Sequence, residues 1–95
     1  MIKKTLYFGN PAYLSLRNRQ LVIKLPVETP ESEHSPTFNE VTKPIEDIGI
    51  VVLDHRQITI TTAALTALAE NNCAVINCDS KSMPASLMLP LYGNT

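Results

Sequence analysis

The stretch Ile48-Gly-Ile-Val-Val-Leu-Asp-His-Arg-Gln-Ile-Thr-Ile-Thr-Thr-Ala-Ala-Leu-Thr-Ala-Leu-Ala-Glu-Asn-Asn-Cys-Ala-Val-Ile-Asn77 changes its hydrophobic period twice. Ile48 to Leu53 is a near-continuous apolar run, which suits a strand buried on both faces. Asp54 to Gln57 is a charged turn, and Ile58 to Thr61 alternates as a further strand. From Thr62 to Asn72 the period becomes helical, with Ala64, Leu65, Leu68 and Ala69 on one face. Thr61 or Thr62 can cap its start, and Asn71 and Asn72 can end it because Asn tolerates the left-handed conformation. Cys73 to Asn77 is then a second apolar strand. Strand, helix and strand in this order imply a parallel crossover.

Working outward, Thr5 to Gly9 is a short β-prone segment that ends in the turn Gly9-Asn10-Pro11. Ala12 to Leu16 and Leu21 to Leu25 flank a polar turn centred on Asn18, which predicts a hairpin. Pro26 is expected to end the second arm, since its nitrogen cannot donate to a ladder. Val27 to Pro36 carries Glu28, Glu31, Glu33 and His34 between prolines and reads as an exposed loop. Thr37 to Ile45 suits a polar edge strand with Pro44 near its end, and Asp79 to Pro84 a loop. Ser86 to Leu91 is apolar, Pro90 with Gly93-Asn94 closes in turn chemistry, and the last residues have the look of a linker. The fold class is α+β: a β-rich domain with hairpin strands, a mixed sheet and one crossover helix.

The chain has 95 residues, 44% of them apolar and 18% charged, enough for one core. Its net charge of −1 gives no general attraction for nucleic acid, and 5% aromatic residues without Trp argue against a base-stacking platform. The charge is nevertheless uneven. Residues 1 to 24 carry five cations (Lys3, Lys4, Arg17, Arg19, Lys24) and no acid; residues 25 to 54 carry seven acids against Lys43. No apolar stretch is long enough to span a membrane, and Gly9, Asn10 and Pro11 interrupt the opening Met-Ile-Lys-Lys before a leader can form. The expected location is the cytoplasm, which leaves Cys73 and Cys78 as thiols.

Few residues carry chemistry. Asp54-His55 ends a buried strand, where α/β folds place ligands, but strand neighbours point apart and need a third group nearby. Cys73 and Cys78, five apart on a strand, fall on opposite faces and do not chelate one metal. Glu46-Asp47 could hold a magnesium ion only with phosphate completing the shell. With Gly9, Gly49 and Gly93 alone there is no phosphate-binding glycine loop. No catalytic and no metal-ligating residue is assigned.

Taken in order, several segments resemble one family. Met1 to Leu16, Gln20-Leu-Val-Ile-Lys-Leu-Pro26, Pro44 to Thr61, Glu70-Asn-Asn-Cys-Ala-Val-Ile-Asn-Cys-Asp79 and Leu87-Met-Leu-Pro-Leu-Tyr-Gly-Asn-Thr95 are similar to the start of the CRISPR-associated endonuclease/integrase of the adaptation module, in its type II branch. Val27 to Phe38 stands outside the match. The resemblance implies a β-rich N-terminal domain over 1–90, with 91–95 opening a linker to a helical catalytic domain absent from this sequence. It implies a parent enzyme that joins new spacer DNA to the repeat array in antiviral defence, using magnesium or manganese. The metal ligands would belong to the helical domain, so the fragment itself is expected to hold no cofactor and to be inactive.

The family role of the N-terminal domain is to build a homodimer, and two dimers flank a small second adaptation protein on DNA. Lys3, Lys4, Arg17, Arg19 and Arg56 are the candidates for residues near that DNA, by charge alone. Two other readings stand beside this one: an independent small DNA-binding module, and a small enzyme built on Asp54-His55.

Overall fold

The computed structural model describes residues 3–27 and 37–91. Among these residues eight strands form two four-stranded sheets, with one helix. In the first sheet, order β1-β5-β7-β8, strands Lys4–Phe8 (β1), Ile48–Leu53 (β5) and Ala74–Cys78 (β7) run parallel, and Pro84–Met88 (β8) is antiparallel to β7. In the second, order β4-β3-β2-β6, strands Thr37–Pro44 (β4), Gln20–Val27 (β3) and Ala12–Arg17 (β2) are antiparallel. Ile58–Ile60 (β6) joins β2 in parallel. The α+β, β-rich class holds, with two mixed sheets rather than one.

The expected hairpin is β2–β3. Its two-residue loop, Asn18-Arg19, has both φ values positive (53° and 60°), the mark of a type I′ turn that matches strand twist. The expectation that Pro26 ends the arm is overturned: β3 continues to Val27, pairing Pro26 with Phe38 of β4. β2 pairs with β3 only over Gln20 to Lys24, so by Pro26 one side of β3 is open. A missing N–H on that open side breaks no ladder bond. Of the expected loop, residues 28–36 lie outside the described residues. β4 is the expected edge strand, followed by a short 3-10 turn over Ile45–Asp47.

The apolar run Ile48–Leu53 is a central strand, but it is not buried on both faces. Ile48, Val51 and Leu53 are buried, whereas Ile50 is 38% exposed. The register explains the pattern, since Lys4 pairs with Ile48 and Thr5 already with Ile50, leaving Gly49 as a bulge. A Cβ at Gly49 would stand 3.0 Å from Lys3 Cβ, so the bulge sits close under the neighbouring strand. The crossover also differs in detail. β6 and β7, on either side of the helix, lie in different sheets, and the parallel partner of β7 is β5.

The helix Thr62–Glu70 (α1) starts and stops where the sequence places it. Thr61 Oγ1 accepts from Ala64 N at 3.2 Å, capping the first turn. At the other end Asn71 Nδ2 donates to the Ala67 carbonyl at 2.9 Å, and Asn72 takes φ 61°. Ala64 and Leu68 enter a single core with Phe8, Leu14, Ile23, Ile48, Val51 and Val75, so both sheets and the helix share one apolar interior. The apolar run Ser86 to Leu91 is in part a strand: Leu87 pairs with Ile76 and Met88 with Val75. Pro84 and Pro90 bracket this strand and its outward side chains are apolar, so its sequence carries no polar–apolar alternation. Residues 92–95 lie outside the described residues.

Candidate functional site

Three parallel strands end side by side at Phe8, Leu53 and Cys78, and the residues just beyond them line a cleft of about 330 Å³. Its walls are Asp54, His55, Arg56, Cys78, Asp79 and two serines. Asp54 is held at the strand end by its N–H, which donates to the Phe8 carbonyl at 2.8 Å. Its carboxylate accepts a short hydrogen bond from the Tyr7 hydroxyl. That bond, with some burial and the nearby charge of Asp54, raises the Tyr7 pKa above its ordinary value. The Tyr7 ring lies over Gly9, where a Cβ would meet Tyr7 Cε1 at 2.9 Å, so the bare glycine admits it.

The other polar groups face other partners. His55 Nδ1 accepts from Gln57 N at 3.0 Å, which places the imidazole proton on Nε2 and ties the ring to its own turn. Asp79 Oδ1 accepts from Lys81 N at 2.9 Å and from Met83 N at 3.1 Å, closing the turn before β8. Burial first, then Asp54 and Asp79, raise the Cys78 thiol pKa, the opposite of an activated nucleophile. The cleft gathers Asp54, His55 and Cys78 but links none of them as nucleophile, base and orienter. Only the parallel order β1-β5-β7 makes Tyr7 and Cys78 neighbours of Asp54, from which they lie far apart in sequence.

Nor does the donor set fit a divalent metal. Among the described residues no three His, Cys, Asp or Glu side chains converge on a point. Glu46 and Asp47 sit in the 3-10 turn at the other end of β5 from Asp54. Cys73 is buried at the start of β7, and Cys78, at its end, is half-buried; both are free. Burial pushes the Cys73 thiol up to about 11.

The five cations do not form one patch. Lys4 pairs with Ile48 at the start of β5, and the Arg19 carbonyl accepts from Ile45 N at 3.2 Å, so both stand at that end. Lys3 is beside them, with Nζ donating to the Asn71 carbonyl at 2.9 Å at the helix C-terminus. Arg17 is engaged by Glu40, Nη2 to Oε2 at 2.7 Å. Arg56 lines the cleft at the opposite end, about 20 Å away along a six-residue strand. A second, open groove of about 1030 Å³ runs between the β2–β3 turn and the outer side of α1.

No helix among the described residues is long and apolar enough to cross a membrane. No family model matches the sequence. Over 90 residues, 95% of this chain, it is 33% identical to the CRISPR-associated endonuclease Cas1 of Neisseria meningitidis serogroup C (strain 8013), and it covers 26% of that protein. Among solved structures it resembles a casposase bound to integration product, at 21% identity and a TM-score of 0.64, covering 95% of this chain and 24% of the casposase. It also resembles a chain of a partial Cas6-RT-Cas1–Cas2 complex, at 16% identity and a TM-score of 0.67, covering 92% and 23% respectively. The chain thus spans about a quarter of each of these three proteins.

Proposed function

The chain is a homologue of the amino-terminal part of the CRISPR-associated endonuclease Cas1, and from that premise we propose that it is the dimer-forming interaction domain of a CRISPR integrase. In this reading the longer protein inserts spacer DNA, and metal binding and catalysis reside in its helical part. The polar cleft at Asp54 and His55 is read here as structural, its groups being tied to Tyr7 and to backbone. The observation that carries the reading is the outer face of the first sheet, where Tyr7, Val52, Ile76 and Leu87 stand in one apolar row across four strands. Tyr7 is 63% exposed and Leu87 56%, which suits a surface meant to be covered. Light scattering coupled to size exclusion should give a dimer at high micromolar concentration. A monomer there sinks the proposal.

DNA contact is a second reading, favoured by Lys3, Lys4 and Arg19 collecting at one end of the domain. Binding to duplex DNA should fall steeply with salt and weaken further in Lys4→Ala combined with Arg19→Ala. Binding unaffected by that double substitution would remove these residues from the interface. The small second adaptation protein, Cas2 in the solved Cas1–Cas2 assembly, is the further partner proposed for the whole protein.

A further inference from the structure

α1 lacks the charge that its C-terminal end calls for. Its last turn holds no basic residue and closes on Glu70, an acid at the negative end of the helix dipole. The missing cation comes from the far end of the chain. Lys3 Nζ donates to the Asn71 carbonyl at 2.9 Å, across 68 residues of sequence. Between Lys3, which leads into β1, and Asn71, which leads into β7, lies β5. The lysine passes β5 at Gly49. A Cβ on Gly49 would stand 3.0 Å from Lys3 Cβ and 3.8 Å from Lys3 Cδ, so the aliphatic stem lies along the space that glycine leaves. Gly49 has no positive φ. Its backbone therefore does not call for glycine; the passing side chain does.

We propose that Lys3 and Gly49 form a strap that ties the amino-terminal edge strand β1 to the C-terminal end of α1, so that the two loosen together. Among the described residues β1 pairs with β5 alone, and a helix frays at its ends. Each is the weak margin of its element, where local opening costs least. One ammonium joins the two margins, and it reaches only because position 49 carries no side chain. Lys3 then serves the fold, and any contact with phosphate at this end falls to Lys4 and Arg19. The strap stands whether or not the chain binds DNA or dimerises.

Amide hydrogen exchange of the 95-residue chain, read residue by residue, tests it. Lys3→Met keeps the stem and removes the ammonium. The amides of β1 and of Asn71, Asn72 and Cys73 should then exchange roughly two- to tenfold faster, the worth of one hydrogen bond. Leu65, in the first turn of α1, and the β2–β3 hairpin should keep the parent's rates. Lys3→Arg, which retains charge and donors, should restore the protection. Gly49→Ala pushes the stem aside without touching the lysine and should loosen the same two margins. Added to Lys3→Met, it should speed Asn71 and Asn72 no further, because the strap is already gone. Unchanged rates at Asn71 and Asn72 in Lys3→Met would make Lys3 a free surface cation and overturn the strap. An acceleration that reaches the hairpin equally, or losses that add at Asn71 and Asn72, would overturn it too.

Discussion

The two sheets share one interior and differ on the outside. On the outer face of the second sheet the residues in register are mostly polar: Tyr13 opposite Lys24, Ser15 opposite Val22, Val22 opposite Thr42, Lys24 opposite Glu40. Val22 on this face is only 2% exposed, and the Arg17–Glu40 pair spans β3 at its level. The first sheet has no such cover among the described residues. Tyr7, Ile50 and Leu87 stand open on it. Parallel strands seldom leave a face to water, so the contrast separates a surface finished for solvent from one whose apolar side chains stand uncovered.

The sharpest way to break that contrast is through the interior both sheets share. Leu14 of the second sheet is fully buried and Ile48 of the first is 1% exposed, in the same cluster. Leu14→Ala and Ile48→Ala should each cost about 2–5 kcal/mol. In a domain whose whole stability is of order 5–15 kcal/mol, either loss approaches unfolding. Urea titration followed by circular dichroism measures both. A loss confined to one variant would mean that the sheets hold separate cores.

How far the sequence reveals this arrangement depends on whether the signal is local. The hairpin, with its Asn18 turn, and the helix, with Thr61 and Asn71 at its ends, are written in adjacent residues and are read directly. The bulge at Gly49 is not, because it is a property of pairing with β1, some forty-four residues earlier in the chain. β8 is missed for the same reason: only Ile76 and Val75 across the ladder reveal Leu87 and Met88 as strand. The cleft is half legible, since Asp54-His55 can be seen at a strand end while Tyr7 and Cys78 reach it through sheet order. Sequence proximity of Arg17 and Arg19 likewise hides that Arg17 is paired with Glu40 across β3.

Cys73 tests the first sheet where it receives the chain from α1. The buried thiol has its pKa raised from 9.0 to about 11, chiefly by burial. For such an acid the folded state favours the protonated form. Its contribution to stability is therefore intact below about pH 9 and is lost as pH rises to about 11. The loss over that window should be on the order of 2 kcal/mol. Cys73→Ala lowers stability at neutral pH but should flatten this alkaline decline. Denaturant titrations at pH 7, 9 and 11 decide it. An equally steep decline in the variant would place the titrating group elsewhere, with Tyr7, also raised, the first to examine.

Arg19→Gly addresses the second sheet in the opposite sense. Arg19 is held at φ 60°, a conformation that glycine adopts without strain. The change creates Asn-Gly, the preferred pair for a type I′ loop, and leaves the Arg19 carbonyl free to accept from Ile45 N. A gain of about 1 kcal/mol is expected, seen as a higher urea midpoint. A loss would show that the Arg19 side chain anchors the turn against its neighbours.

The smallest effect belongs to the cover over Val22. Arg17 lowers the pKa of Glu40, through their hydrogen bond first, so any stabilisation from the pair exists above the ordinary carboxylate range and is lost as pH falls through the lowered value. Both side chains are well exposed, and an ion pair in water is weak. Glu40→Gln should therefore shift Tm by no more than about 2 °C. The aliphatic stem of Arg17 is the part that can keep water from Val22. Arg17→Met keeps such a stem and should melt close to the parent; Arg17→Ala uncovers the valine and should melt lower. Equal losses in the two variants would assign the protection to charge and narrow the difference between the two faces.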